Sequence, residues 1–469
     1  MTGDRATVVA ERPKPGHPRP YAFPAFTRTQ LDNGLSVLAV DLPGRPLIDV
    51  SLIITGGASD EPDDLAGATV LMARALTEGT ENYSAIDLVE ATERLGATLH
   101  AEAGWDAMSV SADVPAERLP GVLDLIAEIV ARPTFPVVEV DRLRDERLND
   151  LLQAKADPRR RADEAFVETI YASSSPYRRP SAGTRETVER LHPLVARAEL
   201  ARRFDPARMT LIAGGDLTGL AMASLANSRF GGWRADPAAA PSQLVDASPS
   251  SATRRIRVIH RPGSVQTEIR VGHPGVPRRI PDYHALAVMG AILGSLFNSR
   301  LNRKLREEKG YTYGAGAAFD LRRAAGPFTA RAAVNTEVTV PALVDIVAEV
   351  ERMRAAVVDK SELQAAKDYL VGVFPLRFET PGAVVGALGG LVVHGLPDDE
   401  LSRYRPAIEA VTREDVLAAA QAHVRPVEAA VVLVGDADAF VPALEAAGLG
   451  PVSVDRHEAA PEGPDVVTD

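Results

Sequence analysis

The 469-residue chain contains no cysteine, which excludes disulfides, thiolate metal sites and cysteine nucleophiles. It also lacks an excess of positive charge. Fifty-two Lys and Arg against 64 Asp and Glu give a formal net charge of −12, which disfavours general binding to nucleic acid or to an anionic membrane. No stretch approaches the roughly 18 uninterrupted apolar residues of a membrane span, and residues 1–24 lack the apolar core of a signal peptide. We therefore expect a cytoplasmic protein.

Histidine is sparse and scattered. No two of the nine histidines are three or four residues apart, and none forms a His-Glu pair within a predicted helix. A pair of metal ligands on one helix face is therefore not predicted anywhere in the chain. The remaining composition, 45% hydrophobic and 25% charged, is typical of a soluble globular protein.

The length and an internal match indicate two domains. A single hydrophobic core rarely supports 469 residues. Residues 43–52 align without gaps on residues 262–271, and residues 430–436 resemble residues 210–216. We expect two similar domains of mixed strands and helices, arranged as a flexible arm (1–25), a first domain (26–234), a linker (235–253), a second domain (254–450) and a flexible acidic tail (451–469).

The most informative helix lies at residues 64–80. Its apolar residues recur at helical spacing, with Asp64 at the predicted start and Gly79 after the predicted last turn. The periodic positions are Leu65, Ala68, Leu71, Met72 and Leu76.

This helix and its surroundings resemble the pitrilysin/insulinase family of zinc metallopeptidases, in the branch of mitochondrial processing peptidase. There the helix reads Gly-x-Ala-His-Phe-Leu-Glu-His-Met and ends in Gly-Thr. The resemblance implies an α+β fold, a tandem duplication of two domains that each hold a mixed, mostly antiparallel sheet flanked by helices. The family's two zinc ligands and its general base fall here on Val70, Arg74 and Ala73. None of these side chains can perform that chemistry, so we expect no metal in this chain.

A third family ligand, a glutamate on a later helix, falls on Asp150. This carboxylate is a relic ligand on one interpretation. On the other it is an exposed acid among basic residues, pairing with Arg74 across the former site. A lone carboxylate cannot hold zinc, because three or four ligands are needed.

Residues 299–313 contain the pattern that indicates a retained functional segment. Leu301 and Leu305 form an apolar stripe, Gly310 ends the predicted helix, and a strand is predicted from Tyr311. Two charge pairs are predicted on the wet face, Arg303–Glu307 and Lys304–Glu308. The stretch resembles the family's Ser-Arg-Leu-x-x-x-Leu-Arg-Glu-x-x-Gly-Leu-x-Tyr segment, whose last Arg and Tyr contact the substrate backbone. These match Arg306 and Tyr313.

Three functions remain open from the sequence. In the first, the chain is a non-catalytic subunit of a heteromeric zinc peptidase. A homologous partner subunit then brings zinc and the His-x-x-Glu-His site, and the two subunits bind peptides together. Alternatively, it is a purely structural homologue, or a stand-alone peptide-binding protein. The intact segment with Arg306 and Tyr313 favours the first.

Overall fold

The computed structural model describes residues 19–242 and 245–456. Its strands form two six-stranded mixed sheets, one in each half of the chain. Sheet one contains β1 (Thr27–Gln30), β2 (Ser36–Asp41), β3 (Leu47–Thr55), β4 (His100–Ala103), β5 (Ala107–Pro115) and β6 (Met209–Gly215). Sheet two contains β7 (Arg255–His260), β8 (Gln266–Pro274), β9 (Ala315–Phe319), β10 (Pro327–Asn335), β11 (Ala430–Gly435) and β12 (Val452–Asp455).

Five strands of the two sheets repeat one topology and confirm the predicted duplication, whereas the edge strands differ: β1 pairs antiparallel with β2, and β12 pairs parallel with β7. Their strand orders are β1-β2-β6-β3-β5-β4 and β12-β7-β11-β8-β10-β9. Most pairs are antiparallel, and the parallel pairs are β2 with β6, β7 with β11 and β7 with β12. Leu47 and Gln266, equivalent in the gapless sequence match, begin the corresponding strands β3 and β8.

Helices flank both sheets. Those of the first half are α1 (Ala68–Ala75), α2 (Ala85–Arg94), α3 (Leu119–Ala131), α4 (Val137–Ala156), α5 (Pro158–Ile170), α6 (Arg185–Val188), α7 (Pro193–Arg203) and α8 (Met222–Phe230). Those of the second half are α9 (Tyr283–Gly290), α10 (Arg300–Asn302), α11 (Thr339–Ala355), α12 (Lys360–Val373), α13 (Pro381–His394), α14 (Glu400–Ala410), α15 (Arg413–His423) and α16 (Ala437–Ala446). Two π-helical stretches span Ala291–Ser295 and Arg303–Glu308.

Each sheet buries one face under helices of its own half. Strand β3 shows why, because its side chains alternate between the two faces. Val50, Leu52 and Ile54 are fully buried in the core beneath the first-half helices, whereas Ile53 belongs to a separate cluster on the opposite face. Both faces of this strand are therefore covered, which accounts for its nearly continuous apolar run.

The opposite faces are covered by an exchange of helices between the halves. Helix α5, from the first half, packs Phe166 and Ile170 on sheet two against Val432 and Val434. Helix α13, from the second half, packs on sheet one, where its buried members Val384, Val385, Leu388 and Leu391 meet Leu38, Val40, Ile53 and Ile212. The predicted division at residues 235–253 therefore separates the strands of the two sheets, but the hydrophobic clusters on their outer faces contain residues from both halves.

The structure corrects two predicted boundaries. The arm predicted at residues 1–25 packs where it is described, since Phe23 is only 7% exposed and its ring meets that of Phe378 edge-on at 5.0 Å. The tail predicted from residue 451 is wrong for Val452–Asp455, which pair with β7 as an edge strand. Residues 1–18 and 457–469 lie outside the described part of the chain.

Among the described residues, no single helix is long and apolar enough to cross a membrane. One pair of helical segments, residues 360–378 and 381–394, meets the length and composition requirement only jointly and is bent by 113°.

A pair of carboxyl groups lies beneath helix α13. Asp49 of β3 stands directly opposite Asp113 of β5 in the antiparallel register. The side chain of Asp49 also lies against Gly382 in the first turn of α13, where a β-carbon would come within 2.9 Å of its Oδ2. Burial, followed by the charge of Asp113 and a hydrogen bond shared with it, raises the pKa of Asp49 from 3.8 to about 7.

We predict that Asp49→Asn removes part of the pH dependence of stability. Because folding raises this pKa, the stability that the group contributes is fully present below about pH 4 and is lost as the pH rises through about 7. Asparagine stays neutral and can still donate to Asp113. The variant should therefore be more stable than wild type above about pH 8, by on the order of 2 kcal/mol. Urea unfolding of both proteins at low and high pH measures this.

The control is Asp32→Asn, at an exposed position. Equal stabilities of the Asp49 variant and wild type at high pH would contradict the assignment.

Candidate functional site

Helix α1 starts later than the sequence predicts. It spans Ala68–Ala75, after a separate helical turn at Asp63–Leu65, so the predicted start at Asp64 is wrong. Gly67 has a φ of +95°, which breaks the helical path and favours glycine. The carboxylate of Glu61 then caps the new start, accepting hydrogen bonds from the backbone N–H groups of Gly67 (2.8 Å) and Thr69 (2.6 Å).

A buried polar cluster fixes this helix start. The side chain of Glu61 is fully buried, which raises the pKa of its carboxyl, and Arg179 lies 3.5 Å from it. The Thr69 hydroxyl donates to Glu199 (2.8 Å), and Arg203 donates to the same Glu199 oxygen (2.7 Å). Glu199 and Arg203 are both buried and are paired with each other, which offsets the cost of burying two charged groups.

The three former catalytic positions lie on α1 in an arrangement that cannot bind a metal. Val70 is half-buried, Ala73 is fully buried, and Arg74 is exposed at the end of the helix. Two of these side chains carry no ligand atom. The third is a permanent cation whose guanidinium donates to Glu146 of α4 at 2.9 Å. The donor set therefore does not fit zinc, which needs nitrogen, sulfur or oxygen ligands.

Arg74 pairs with Glu146 and not with Asp150. The predicted contact between Arg74 and Asp150 is wrong, because Asp150 faces away from α1 and binds Arg147 and Arg160 (2.8 Å to the latter). The hydrogen bond from Arg160 holds the pKa of Asp150 below its usual range. Glu146 lies one helical turn earlier in α4 and is the carboxylate that reaches the former site.

Ion pairs near the end of α1 link this helix and the turn after it to α4. Arg142 contacts the carboxylates of Glu78 (2.8 Å), Glu139 (2.8 Å) and Glu146 (2.6 Å). The hydrogen bond from Arg74, supported by Arg142, lowers the pKa of Glu146. Single surface pairs contribute little, but here several charges share partners and join two helices.

The segment with Arg306 and Tyr313 is anchored by its buried side. Ser299 caps the helix, and Leu301 and Leu305 are fully buried, which confirms the predicted apolar stripe. Arg300 makes a bidentate pair with Glu362 of α12, at 2.9 and 2.8 Å. Such fork-to-carboxylate pairs fix geometry as well as charge.

The wet face of this segment follows a π-helical register. Lys304 pairs with Glu308 at 3.2 Å, as predicted. Arg303, however, approaches Glu308 at 3.9 Å and does not pair with Glu307. The wider turn over Arg303–Glu308 also brings residues five apart towards one another, so Glu308 lies within reach of both Arg303 and Lys304.

Arg306 and Tyr313 are both available to solvent, but they do not contact each other. The Arg306 guanidinium lies 4.5 Å above the ring of Phe297 and 3.5 Å from Glu307. Tyr313 is 94% exposed, and in the part of the chain that the structure describes its hydroxyl has no hydrogen-bond partner. Phe297, itself 65% exposed, was missed by sequence reasoning because nothing nine residues before an arginine signals a stacked ring.

A cleft of about 760 Å³ adjoins this segment. Strand β9 starts at Ala315 and not at Tyr311, because the Thr312 hydroxyl bridges the carbonyls of Gly314 (3.0 Å) and Ala333 (2.7 Å) in a turn. Gly314 and β9 line the cleft together with β10 and the exchanged helix α5. Its charged members are Arg159, Asp163, Glu268, Arg270, Asp320 and Arg331.

Two models of one peptidase family match consecutive parts of the chain. The model described as insulinase (peptidase family M16) matches residues 36–184, and the model described as peptidase M16 inactive domain matches residues 199–370. Together they cover more than half of the chain. The chain belongs to the M16 family.

Some of the similar proteins are described as proteases and others as non-peptidase homologues. An uncharacterized zinc protease of Mycobacterium tuberculosis is 26% identical over 415 residues, covering 86% of this chain and 91% of that protein. A non-peptidase homolog of Helicobacter pylori is 22% identical (75% and 80%), and the alpha subunit of the mitochondrial-processing peptidase of Solanum tuberosum is 28% identical (46% and 44%). A crystal structure of a peptidase M16 inactive domain from Pseudomonas fluorescens has a TM-score of 0.81 at 25% identity, covering 88% of this chain and 98% of that one.

One other cluster has metal-ligand chemistry, formed by His260, Asp436 and Asp438. Its histidine has a structural task, since His260 Nδ1 accepts a hydrogen bond from the N–H of Ala437 at the start of α16 (3.1 Å). In the first half, Asp41 does the same for Leu217 (3.0 Å) after the equivalent strand. We therefore interpret His260 as a cap inherited through the duplication.

We predict that metal binding can be restored on α1 and that Glu146 then serves as the third ligand. The wild-type chain should carry no stoichiometric zinc. The triple variant Val70→His, Ala73→Glu, Arg74→His supplies two imidazoles on one helix face and frees Glu146 from Arg74, so it should bind one zinc per chain. Elemental analysis of the dialysed proteins measures this.

Two further variants locate the third ligand. Adding Glu146→Ala to the triple variant should abolish zinc binding, whereas adding Asp150→Ala should leave it. If the Asp150 change alone removes the metal, the third position is Asp150, as the sequence alignment implies.

Proposed function

We propose that this M16 protein is the non-catalytic subunit of a heteromeric zinc peptidase. A catalytic homologue of similar size, in a heterodimer or heterotetramer, would bring the zinc and the His-x-x-Glu-His motif. This chain would supply part of the peptide-binding chamber. The observation that carries the proposal is a contrast: α1 carries no set of metal ligands, whereas Arg306 and Tyr313 both reach solvent, and Gly314, next to Tyr313, lines a large cleft.

The chemistry of the pair suits an extended peptide. A guanidinium and a phenol are donors that can hold a peptide carbonyl and stabilise negative charge developing on it. Arg306 is held from one side by Phe297 and keeps N–H groups for a ligand. The preceding residue, Leu305, is fully buried and anchors the backbone at Arg306. The guanidinium donor is therefore positioned before a peptide binds.

The relatives support a partnered role. One is by name a subunit of a processing peptidase, and another is by name a non-peptidase homolog. A purely structural subunit is the second candidate. The ion pairs that join α1 to α4 through Arg74 and Arg142 favour it, because they consolidate the former site without serving chemistry. We expect either assembly to be cytoplasmic.

We predict that Arg306→Ala and Tyr313→Phe leave assembly with the catalytic partner intact but reduce peptide hydrolysis. Neither side chain belongs to the buried core, since Arg306 is half-buried against the ring of Phe297 and Tyr313 is almost fully exposed. Loss of one preorganised donor costs on the order of 10²-fold in rate. The measurement is turnover by the reconstituted pair, divided by the amount of complex recovered from a sizing column.

Matched controls separate this role from general surface effects. Arg303→Ala changes an arginine one turn away, and Tyr369→Phe changes a half-exposed tyrosine of α12. Both should retain wild-type turnover. Full activity of the Arg306 and Tyr313 variants as well would leave only the structural role.

A further inference from the structure

A second cavity, of about 500 Å³, lies on the other side of α5 from the cleft described above. It is lined by the C-terminal end of α5, a short helical turn at Pro176–Arg178, the edge strand β12 and its neighbour β7. Its floor includes Ile256, Pro451 and Val452. Three arginines and two carboxylates line it: Arg178, Arg255, Arg257, Glu168 and Asp455.

One arginine occupies both carboxylates. Arg257 donates to Glu168 at 2.8 Å and to Asp455 at 2.7 Å. These two pairs raise the pKa of Arg257 against the opposing effect of its burial. The remaining two guanidinium groups therefore face the cavity without a carboxylate partner in the part of the chain that the structure describes.

Both of these guanidinium groups leave a buried donor unsatisfied. The Nε atoms of Arg178 and Arg255 are each inaccessible to solvent, and neither has a hydrogen-bond acceptor among the described residues. An unsatisfied buried donor is costly, and for a charged group the cost is greater. Because these two Nε atoms are closed to solvent, a ligand in the cavity would meet the outer guanidinium nitrogens of the same side chains, which line the cavity.

The Arg255 side chain is held in place, and the backbone next to Arg178 is anchored. Arg255 donates to the carbonyl of Thr169 (2.5 Å) and to the hydroxyl of Ser250. Arg178 follows Tyr177, which is fully buried, stacks edge-on against Trp105 at 5.1 Å and donates to Asp106 at 3.2 Å. A cation fixed in advance loses less freedom on binding a ligand.

We propose that this cavity is a binding site for a small oxyanion, the phosphoryl or carboxyl group of a small molecule, held by Arg178 and Arg255. Guanidinium groups match both kinds of anion, because they offer parallel N–H donors to two oxygens. The cavity is large enough for a ligand of several heavy atoms beyond the anionic group. The site is independent of the peptidase role proposed above.

Isothermal titration calorimetry of the full chain at low ionic strength tests the proposal, with inorganic phosphate in one arm and succinate in the other. Saturable binding of phosphate would assign the phosphoryl class, and of succinate the carboxyl class. Arg178→Gln removes the charge and the fork and should weaken binding roughly 10- to 100-fold. Arg178→Lys keeps the charge and should weaken it less.

The control is Arg118→Gln, an exposed arginine whose ion-pair partner is the adjacent Glu117. Circular dichroism and thermal unfolding verify that each variant is folded, and the bound anion should raise the Tm of wild type more than that of Arg178→Gln. The proposal is wrong if wild type binds neither anion saturably, if Arg178→Gln binds like wild type, or if Arg118→Gln weakens binding equally.

Discussion

The exchange of helices α5 and α13 between the two halves is the constraint on which the rest of the structure depends. Each six-stranded sheet buries much of its second face under a helix supplied by the other half. Apolar burial of this kind is the dominant stabilising term in folding. Because α5 also lines the large cleft beside β9, the same packing that joins the halves shapes the candidate peptide site. Architecture and function therefore share one element.

Helix α1 shows how the fold positions this helix without a metal. The position of α1 is determined at its start by Gly67 and the buried Glu61 cap, both outside the metal positions. At its end, Arg74 and the α4 carboxylates replace coordination by ion pairing. A metal site demands ligands within tenths of an ångström, whereas exposed ion pairs tolerate variation in distance and partner. The placement of α1 against α4 in this chain therefore does not require a metal.

Local signals predicted much of this fold. The apolar stripe at Leu301 and Leu305 and the equivalence of β3 with β8 are both present as expected. Each depends on residues close together in sequence, or on a repeat that can be aligned. Propensity and periodicity contain that information.

What the sequence did not predict depends on distant residues or on unusual backbone. The cap of α1 comes from Glu61 through a bend at Gly67, and the choice of Glu146 over Asp150 depends on how α4 is rotated about its axis. The π-helical turn at Arg303–Glu308 changes which charges meet, and no simple spacing rule marks it. The helix exchange has no local signature, because the apolar residues of α5 and of α13 do not indicate which of the two sheets each helix covers.

That exchange has a consequence for how such a chain could have arisen. A single ancestral half would expose one face of its sheet and would carry a helix with no place to dock within itself. Two copies could satisfy both needs by swapping helices across a two-fold axis, which is domain swapping in a homodimer. Joining the copies through a linker, here residues 235–253, makes the second contact intramolecular, with an effective concentration in the millimolar range. Once fused, two such copies can diverge independently, because a change in one half no longer recurs in the other.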